Sequence, residues 1–203
     1  MNYTQLQAAV ADFLNRQDLT ATIPTFVSLA EAGFNRSIRS RKMIGRSTTT
    51  LFQHFTALPE DFLEAKNVQL NTTPVQPLEF LSLEMADDLR ASAYRNPGEP
   101  QFYTVVGDTI EVVPVPNGEY QIELTYYKRI PSLSVSAPSN WLLEANPDLY
   151  LYGTLVASAP YLKEDERLPM WAEWTKALIA ALNDESDRAE FSGSTLKIRQ
   201  RMW

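Results

Sequence analysis

The 203-residue sequence predicts an α+β fold: a four-helix body drawn from the two chain ends, an inserted antiparallel β-rich subdomain and an extended C-terminal tail. Three observations carry that expectation. Apolar residues recur every three or four positions at both ends of the chain, which is the helical period. In the middle the pattern shifts to short β-branched and aromatic runs punctuated by Gly, Asn and Pro. After Gly193, Ser194-Thr195-Leu196-Lys197-Ile198-Arg199-Gln200-Arg201-Met202-Trp203 alternates apolar and basic residues. The expected organisation is N-terminal helices of the body over 1–46, a β-rich insertion over 47–135, a C-terminal helix pair over 136–193 and a docking tail over 194–203.

Thr4 is the expected cap of the first helix, whose apolar face holds Leu6, Val10, Phe13 and Leu14. Pro24 suits the first turn of a second helix with Phe26, Leu29, Ala30, Phe34 and Ile38 on its stripe. Arg36, Arg39, Arg41, Lys42 and Arg46 follow, where positive charge complements a helix C-terminus. The β-part opens on Ser47-Thr48-Thr49-Thr50-Leu51-Phe52 and reaches a turn at Leu58-Pro59-Glu60-Asp61-Phe62. A strand over 65–70 turns at Asn71-Thr72-Thr73-Pro74 into a partner over 75–80, and Ser82 caps a short helix from Leu83 to about Ser92. Three strands are expected over 101–106, 109–115 and 120–130, with Gly107-Asp108 and Asn117-Gly118 as hairpin signals. Pro114 and Pro116 predict fraying or a bulge at the end of the middle run.

Asn146 and Pro147 then open a helix carrying Leu149, Leu151, Tyr152, Leu155, Val156 and Ala159. A second fits residues 164–188, with Leu168, Trp171, Trp174, Leu178, Ala181 and Leu182 on one stripe.

Composition narrows the function. Hydrophobic residues at 44% and charged residues at 21% describe an ordinary globular chain. A net charge of −7 argues against a nucleic-acid binder held by phosphate neutralisation. The acid is concentrated in the middle: residues 47–140 hold twelve Asp and Glu against five Lys and Arg. The chain has no cysteine and one histidine, His54, so a thiolate or transition-metal site is not expected, nor is any cofactor. No Gly-x-Ser-x-Gly elbow and no Gly-rich phosphate loop is present. No signal peptide and no apolar window of membrane-spanning length is visible, so synthesis in a host cytoplasm without membrane attachment is expected.

The acidic groups Glu84, Asp87, Asp88 and Glu164-Asp165-Glu166 sit where helix N-termini favour them and read as solvated faces. An enzyme using Glu60 and Asp61 is disfavoured, because adjacent carboxylates in a turn point in different directions. A carbohydrate-binding β-sandwich module is the other reading, but the tryptophans at 141, 171, 174 and 203 lie mostly on helices. The tail reads as a strand with one apolar and one basic side, suited to adding at a partner's sheet edge.

The order of several segments resembles the head–tail adaptor (connector, head-completion) proteins of tailed bacteriophages. The likeness rests on Tyr3-Thr4-Gln5-Leu6-Gln7, Ile23-Pro24-Thr25-Phe26-Val27-Ser28-Leu29-Ala30-Glu31, Leu58-Pro59-Glu60-Asp61-Phe62 and Pro77-Leu78-Glu79-Phe80. It continues through Gly98-Glu99-Pro100-Gln101-Phe102-Tyr103, Tyr126-Tyr127-Lys128-Arg129-Ile130-Pro131-Ser132-Leu133, Trp141-Leu142 and Pro147-Asp148-Leu149-Tyr150-Leu151-Tyr152-Gly153-Thr154-Leu155. The resemblance implies no catalytic residue. It implies a ring of identical subunits, usually twelve, beneath the portal protein at the head–tail junction of the virion. Such a ring extends the DNA channel, passes double-stranded DNA without sequence-specific binding and offers a platform for tail or nozzle proteins. Within it, Leu196, Lys197, Ile198, Arg199, Arg201, Met202 and Trp203 are the expected portal-docking tail. Arg36, Arg39, Arg41, Lys42 and Arg46 are an expected channel or inter-subunit basic patch. A tail-tube or tail-terminator ring is the neighbouring reading.

Overall fold

The computed structural model describes residues 1–16, 18–94, 96–162 and 166–191. Among these the chain is mixed α+β, with six α-helices and two four-stranded sheets. It divides into two compact units, one from Met1–Lys42 with the chain from Ile130 onward, the other from Met43–Arg129.

The first unit holds α1 (Tyr3–Leu14), α2 (Ile23–Ser37), α4 (Trp141–Ala145), α5 (Pro147–Ala157) and α6 (Leu168–Phe191). α5 is its hub, touching α1, α2, α4 and α6. Its sequence explains the role: Leu149, Tyr150, Gly153, Thr154 and Leu155 are all buried, so it is covered on more than one side. The α2–α5 approach is close because position 153 lacks a side chain. A Cβ there would stand 2.5 Å from Cζ and 2.8 Å from Cε1 of Phe34, whose ring meets Tyr150 edge-on at 5.2 Å. Gly153→Ala is therefore expected to lower stability by about 1–3 kcal/mol through overpacking, although alanine is the better helix former. Thermal unfolding of the variant checks this, and an unchanged or raised Tm would contradict the close approach.

Several local details differ from the sequence expectation. The first helix is capped by Asn2, not Thr4: Asn2 Oδ1 accepts from the Gln5 N–H at 2.8 Å, and Gln5 Oε1 accepts from the Asn2 N–H at 2.9 Å. This reciprocal box satisfies two end donors at once, which Thr4 inside the helix cannot do. Phe13 and Leu29 lie on the exposed sides of α1 and α2, at 42% and 53% exposure, while Val27 and Glu31 occupy the buried stripe of α2. Pro147 does open α5, but Asn146 makes no capping bond. The capping residue is Asn140, whose Oδ1 accepts from the Leu142 and Leu143 N–H groups and starts the separate short helix α4. On α6, Trp171 and Leu182 are buried while Trp174 and Ala181 are exposed. Glu166 precedes α6, and Glu164 and Asp165 lie outside the described residues.

The second unit is β-rich. One sheet has the order β1-β8-β3-β4, with β1 at Ile44–Leu51, β3 at Phe62–Leu70, β4 at Gln76–Pro77 and β8 at Tyr120–Lys128. The other has the order β2-β7-β6-β5, with β2 at Phe55–Ala57, β5 at Glu79–Phe80, β6 at Phe102–Val106 and β7 at Thr109–Val113. All pairs are antiparallel except β5–β6. Both sheets contribute to one core, Val68, Leu70, Ile122, Leu124 and Tyr126 meeting Tyr103, Ile110 and Val112. β8 alternates as expected, with Ile122, Leu124 and Tyr126 buried between half-exposed neighbours.

Gly107 at φ 57° makes the tight β6–β7 turn, a conformation glycine adopts without a Cβ penalty. The Asn117-Gly118 signal has a different outcome. β7 and β8 do not pair; they belong to different sheets, and β8 inserts between β1 and β3. β7 ends at Val113, directly before Pro114, which has no N–H to continue a ladder. The run over 75–80 is likewise split, β4 joining one sheet and β5 the other. The crossing residue, Leu78, is buried and donates its N–H to Val68 O at 2.8 Å. α3 (Leu83–Ala91) is capped by Ser82 as expected and packs Ala86 against Val113.

Candidate attachment surfaces

The basic cluster divides between the two units. Arg36 ends α2 and is exposed; Arg41 and Lys42 stand exposed on a 3-10 turn; Arg46 lies on β1 of the second unit. The turn after α2 is latched to α6. Asn183 accepts from the Arg39 N–H at 2.9 Å and donates to Ser37 O at 3.0 Å, and Ser186 Oγ accepts from the Arg41 N–H at 2.8 Å. Arg39 folds its guanidinium onto the carbonyls of Asn35 and Ile38, so it serves the helix end. Lys42 Nζ sits 5.7 Å from the Trp141 ring centre, a cation–π contact. Arg46 comes within 3.9 Å of Glu123 with its side chain 75% exposed, an ion pair of small energetic weight. The expected docking tail, Leu196, Lys197, Ile198, Arg199, Arg201, Met202 and Trp203, lies outside the described residues.

Next to this turn the first unit contains a buried polar network that sequence reasoning missed. Glu31 on α2 is 5% exposed; its Oε1 accepts from the Leu133 N–H at 2.8 Å and from the Tyr150 hydroxyl at 3.2 Å. Asn35, one turn on, accepts from the Ile130 N–H at 2.8 Å. Asn140 donates to Pro131 O at 2.6 Å and to the Tyr150 oxygen at 2.7 Å. Two α2 side chains thus hold the chain over 130–133, and Tyr150 of α5 closes the network. Burial pushes the Glu31 carboxyl above its ordinary value, against hydrogen bonds from Leu133, Tyr150 and Ser132 that favour the charge. Burial and then the Glu31 charge push Tyr150 up as well, with the Asn140 bond opposing. The network's work is structural, because every partner is backbone or a positioning side chain. The signal for it was a single acid on an otherwise apolar helical stripe, between Val27, Ala30 and Phe34.

Of the adjacent carboxylates Glu60 and Asp61, Asp61 has a structural role. Asp61 accepts from the Tyr126 hydroxyl at 2.8 Å, and burial together with that contact pushes the phenol up to about 12. His54 stacks edge-on against Phe55 at 4.8 Å, and its carbonyl accepts from the Val112 N–H. Arg90 of α3 pairs with Asp87 of the same helix at 3.0 Å and with Glu111 of β7 at 2.7 Å.

The second unit carries a cleft of about 470 Å³ lined by residues 62–65 of β3, Phe80 of β5, and Tyr103 and Val105 of β6. Phe80 is 62% exposed and meets Tyr103 edge-on at 5.5 Å. Exposed Val75, Leu83 and Met85 come from the same stretch of chain. The lining is largely apolar, with Glu64 its one carboxylate.

Comparison with known families decides what kind of protein presents these surfaces. The model of the SU10 adaptor protein family matches residues 1–199. The chain belongs to the SU10 adaptor protein family. This SU10-family chain is therefore a phage adaptor, a structural protein class, and the adaptor plan spans both of its units. No curated protein matches the chain. No helix among the described residues is long and apolar enough to cross a membrane.

Proposed function

We propose that this adaptor is a head–tail connector: copies form a ring beneath the portal protein, prolong the DNA channel and present a platform for tail or nozzle proteins. The observation that carries the reading is the adaptor-family match over 1–199. Three physical features support it. A rigid helical unit hubbed on α5 is the kind of body that packs side by side through head-to-tail contacts that close. A net charge of −7 suits a channel wall past which phosphates slide without being gripped. The turn bearing Arg36, Arg41 and Lys42 is latched in place by Asn183 and Ser186, so its cations are presented on a fixed backbone as an inter-subunit or channel-facing patch.

Residues 194–203 serve as the attachment segment through which a copy joins the assembly. Deleting them is expected to leave helix content and Tm unchanged while abolishing incorporation into heads carrying the portal. Circular dichroism with a head-binding sedimentation assay checks both halves, and full head binding by the truncated chain would overturn the assignment.

A further inference from the structure

Four strands form the edges of the two sheets: β1 and β4 of one, β2 and β5 of the other. β2, β4 and β5 are only two or three residues long, and shortness is one way a fold keeps an edge from recruiting another chain. β1 lacks every such protection. It runs eight residues, Ile44–Leu51, without a proline, and its register against β8 is unbroken from Ile44↔Tyr127 to Leu51↔Tyr120. Its one charge, Arg46, turns back toward Glu123 of β8 at 3.9 Å. Among the described residues, β8 is the only strand paired with β1. In an antiparallel pair, alternate residues turn both N–H and C=O away from the neighbouring strand, so about half of β1 presents its backbone groups outward. The core side of this edge is thinly covered as well. Ser47 and Thr49 stand opposite Leu124 and Ile122, which are buried, yet Thr49 itself is exposed. A backbone ladder left open beside a half-covered core row is a template for one more strand.

We propose that the outer edge of β1 is a strand-acceptor site whose occupant is the 194–203 segment of a neighbouring copy in the ring. The inference rests on the ring reading above and names the receptor of its attachment segment. Three observations select this occupant. Length fits: the ten residues of the segment can lie along all eight of β1, a span of about 27 Å at strand rise, and no proline among them removes a ladder donor. Pattern fits: Leu196, Ile198 and Met202 alternate with Lys197, Arg199 and Arg201. The apolar set covers the core row beside Ser47 and Thr49, and the basic set joins the outer face with Thr48, Thr50 and Glu123. Charge fits: the unit from Met43–Arg129 carries twelve Asp and Glu against six Lys and Arg, while the segment carries three bases and no acidic side chain. A segment passed from each copy to the next is a head-to-tail contact, the kind that generates closed rings.

The chain has no cysteine, so introduced thiols give a direct test. Full-length Thr48→Cys, changed at an exposed outer-face position, is mixed with full-length Leu196→Cys, Lys197→Cys, Ile198→Cys, Arg199→Cys or Arg201→Cys. Each mixture is assembled with portal and oxidised, and disulfides are mapped by mass spectrometry. A bond from position 48 to the segment then joins two copies by construction. Cross-strand neighbours on one face hold their Cβ atoms about 4.5–5.5 Å apart, close to disulfide range. The expected product therefore joins position 48 to 197, 199 or 201, and not to 196 or 198, whose side chains face the core. A complex that forms without such a bond, or that bonds all five positions equally, would overturn the inference and leave the ring reading standing. If no complex forms, the ring reading fails by itself, and the edge is tested on the full chain without portal. There, a synthetic peptide of residues 194–203 is expected to shift the amide signals of residues 44–51 saturably, less so as salt rises. The double variant Thr48→Lys, Thr50→Lys, which adds like charge along the edge, is expected to weaken that binding at least tenfold. Signals that stay unmoved by the wild-type peptide overturn the proposal.

Discussion

Replacing Glu31 with alanine is expected to destabilise the protein by roughly 2–6 kcal/mol, because two buried donors lose their acceptor at about 1–3 kcal/mol each. Those donors are the Leu133 N–H and the Tyr150 hydroxyl. The damage should be local in origin: residues 130–133 keep the Asn35 and Asn140 bonds but lose the Glu31 acceptor. Glu31→Gln retains a carbonyl oxygen for the same donors and is expected to cost far less. The pair also predicts a pH dependence. Burial raises the folded-state value of Glu31 above its ordinary 4.5, so the folded protein holds this proton more tightly than the unfolded chain does. Below 4.5 both states are protonated and the native state carries a neutral carboxyl; as pH rises from there through the raised value, stability is lost, and it levels off beyond. Denaturant unfolding of the wild type relative to Glu31→Gln, from pH 4 to 8, is expected to show that falling difference. A difference that rises with pH would mean that the hydrogen bonds outweigh burial.

Trp171→Ala is expected to cost about 3–5 kcal/mol, the range for emptying a large buried aromatic site. Trp171 is 2% exposed on α6, and the Arg167 guanidinium lies over its ring at 4.8 Å. Trp174, three residues on and about 60° around the helix axis, is 45% exposed and touches Tyr152 edge-on at 4.9 Å. Its replacement by alanine is expected to cost about 1 kcal/mol, the worth of an aromatic pair. Urea unfolding of the two variants separates them. Equal losses would contradict the rotation of α6 about its axis.

That contrast shows where the sequence was readable. Helical spacing placed both tryptophans on α6, but an i, i+3 stripe is wide, and which edge faces the hub is settled by α5. Local chemistry was legible: Ser82 before an amphipathic turn, Gly107 in a two-residue hairpin, and the alternation that buries Ile122, Leu124 and Tyr126. Choices made by distant partners were not. Asn117-Gly118 signals a turn, but nothing in those two residues says that β8 will pair with β1 and β3 and leave β7 in the other sheet. The split at Leu78 has the same cause, since the Val68 carbonyl that receives its N–H is ten residues away.

The attachment surfaces divide along the same line. A basic run after α2 is visible in the sequence; its latch through Asn183 and Ser186, more than 140 residues later, is not. The cleft depends on how β3 of one sheet and β5 and β6 of the other are brought together, which none of their segments records.

The central claim is that this adaptor assembles on a portal. Its most direct test is the mass of the full chain, alone and mixed with rings of the cognate portal, by native mass spectrometry. Mixing is expected to produce a complex of one portal ring with a closed set of adaptor copies. A chain that leaves the portal mass unchanged, alone or as self-assembled tubes, would contradict it.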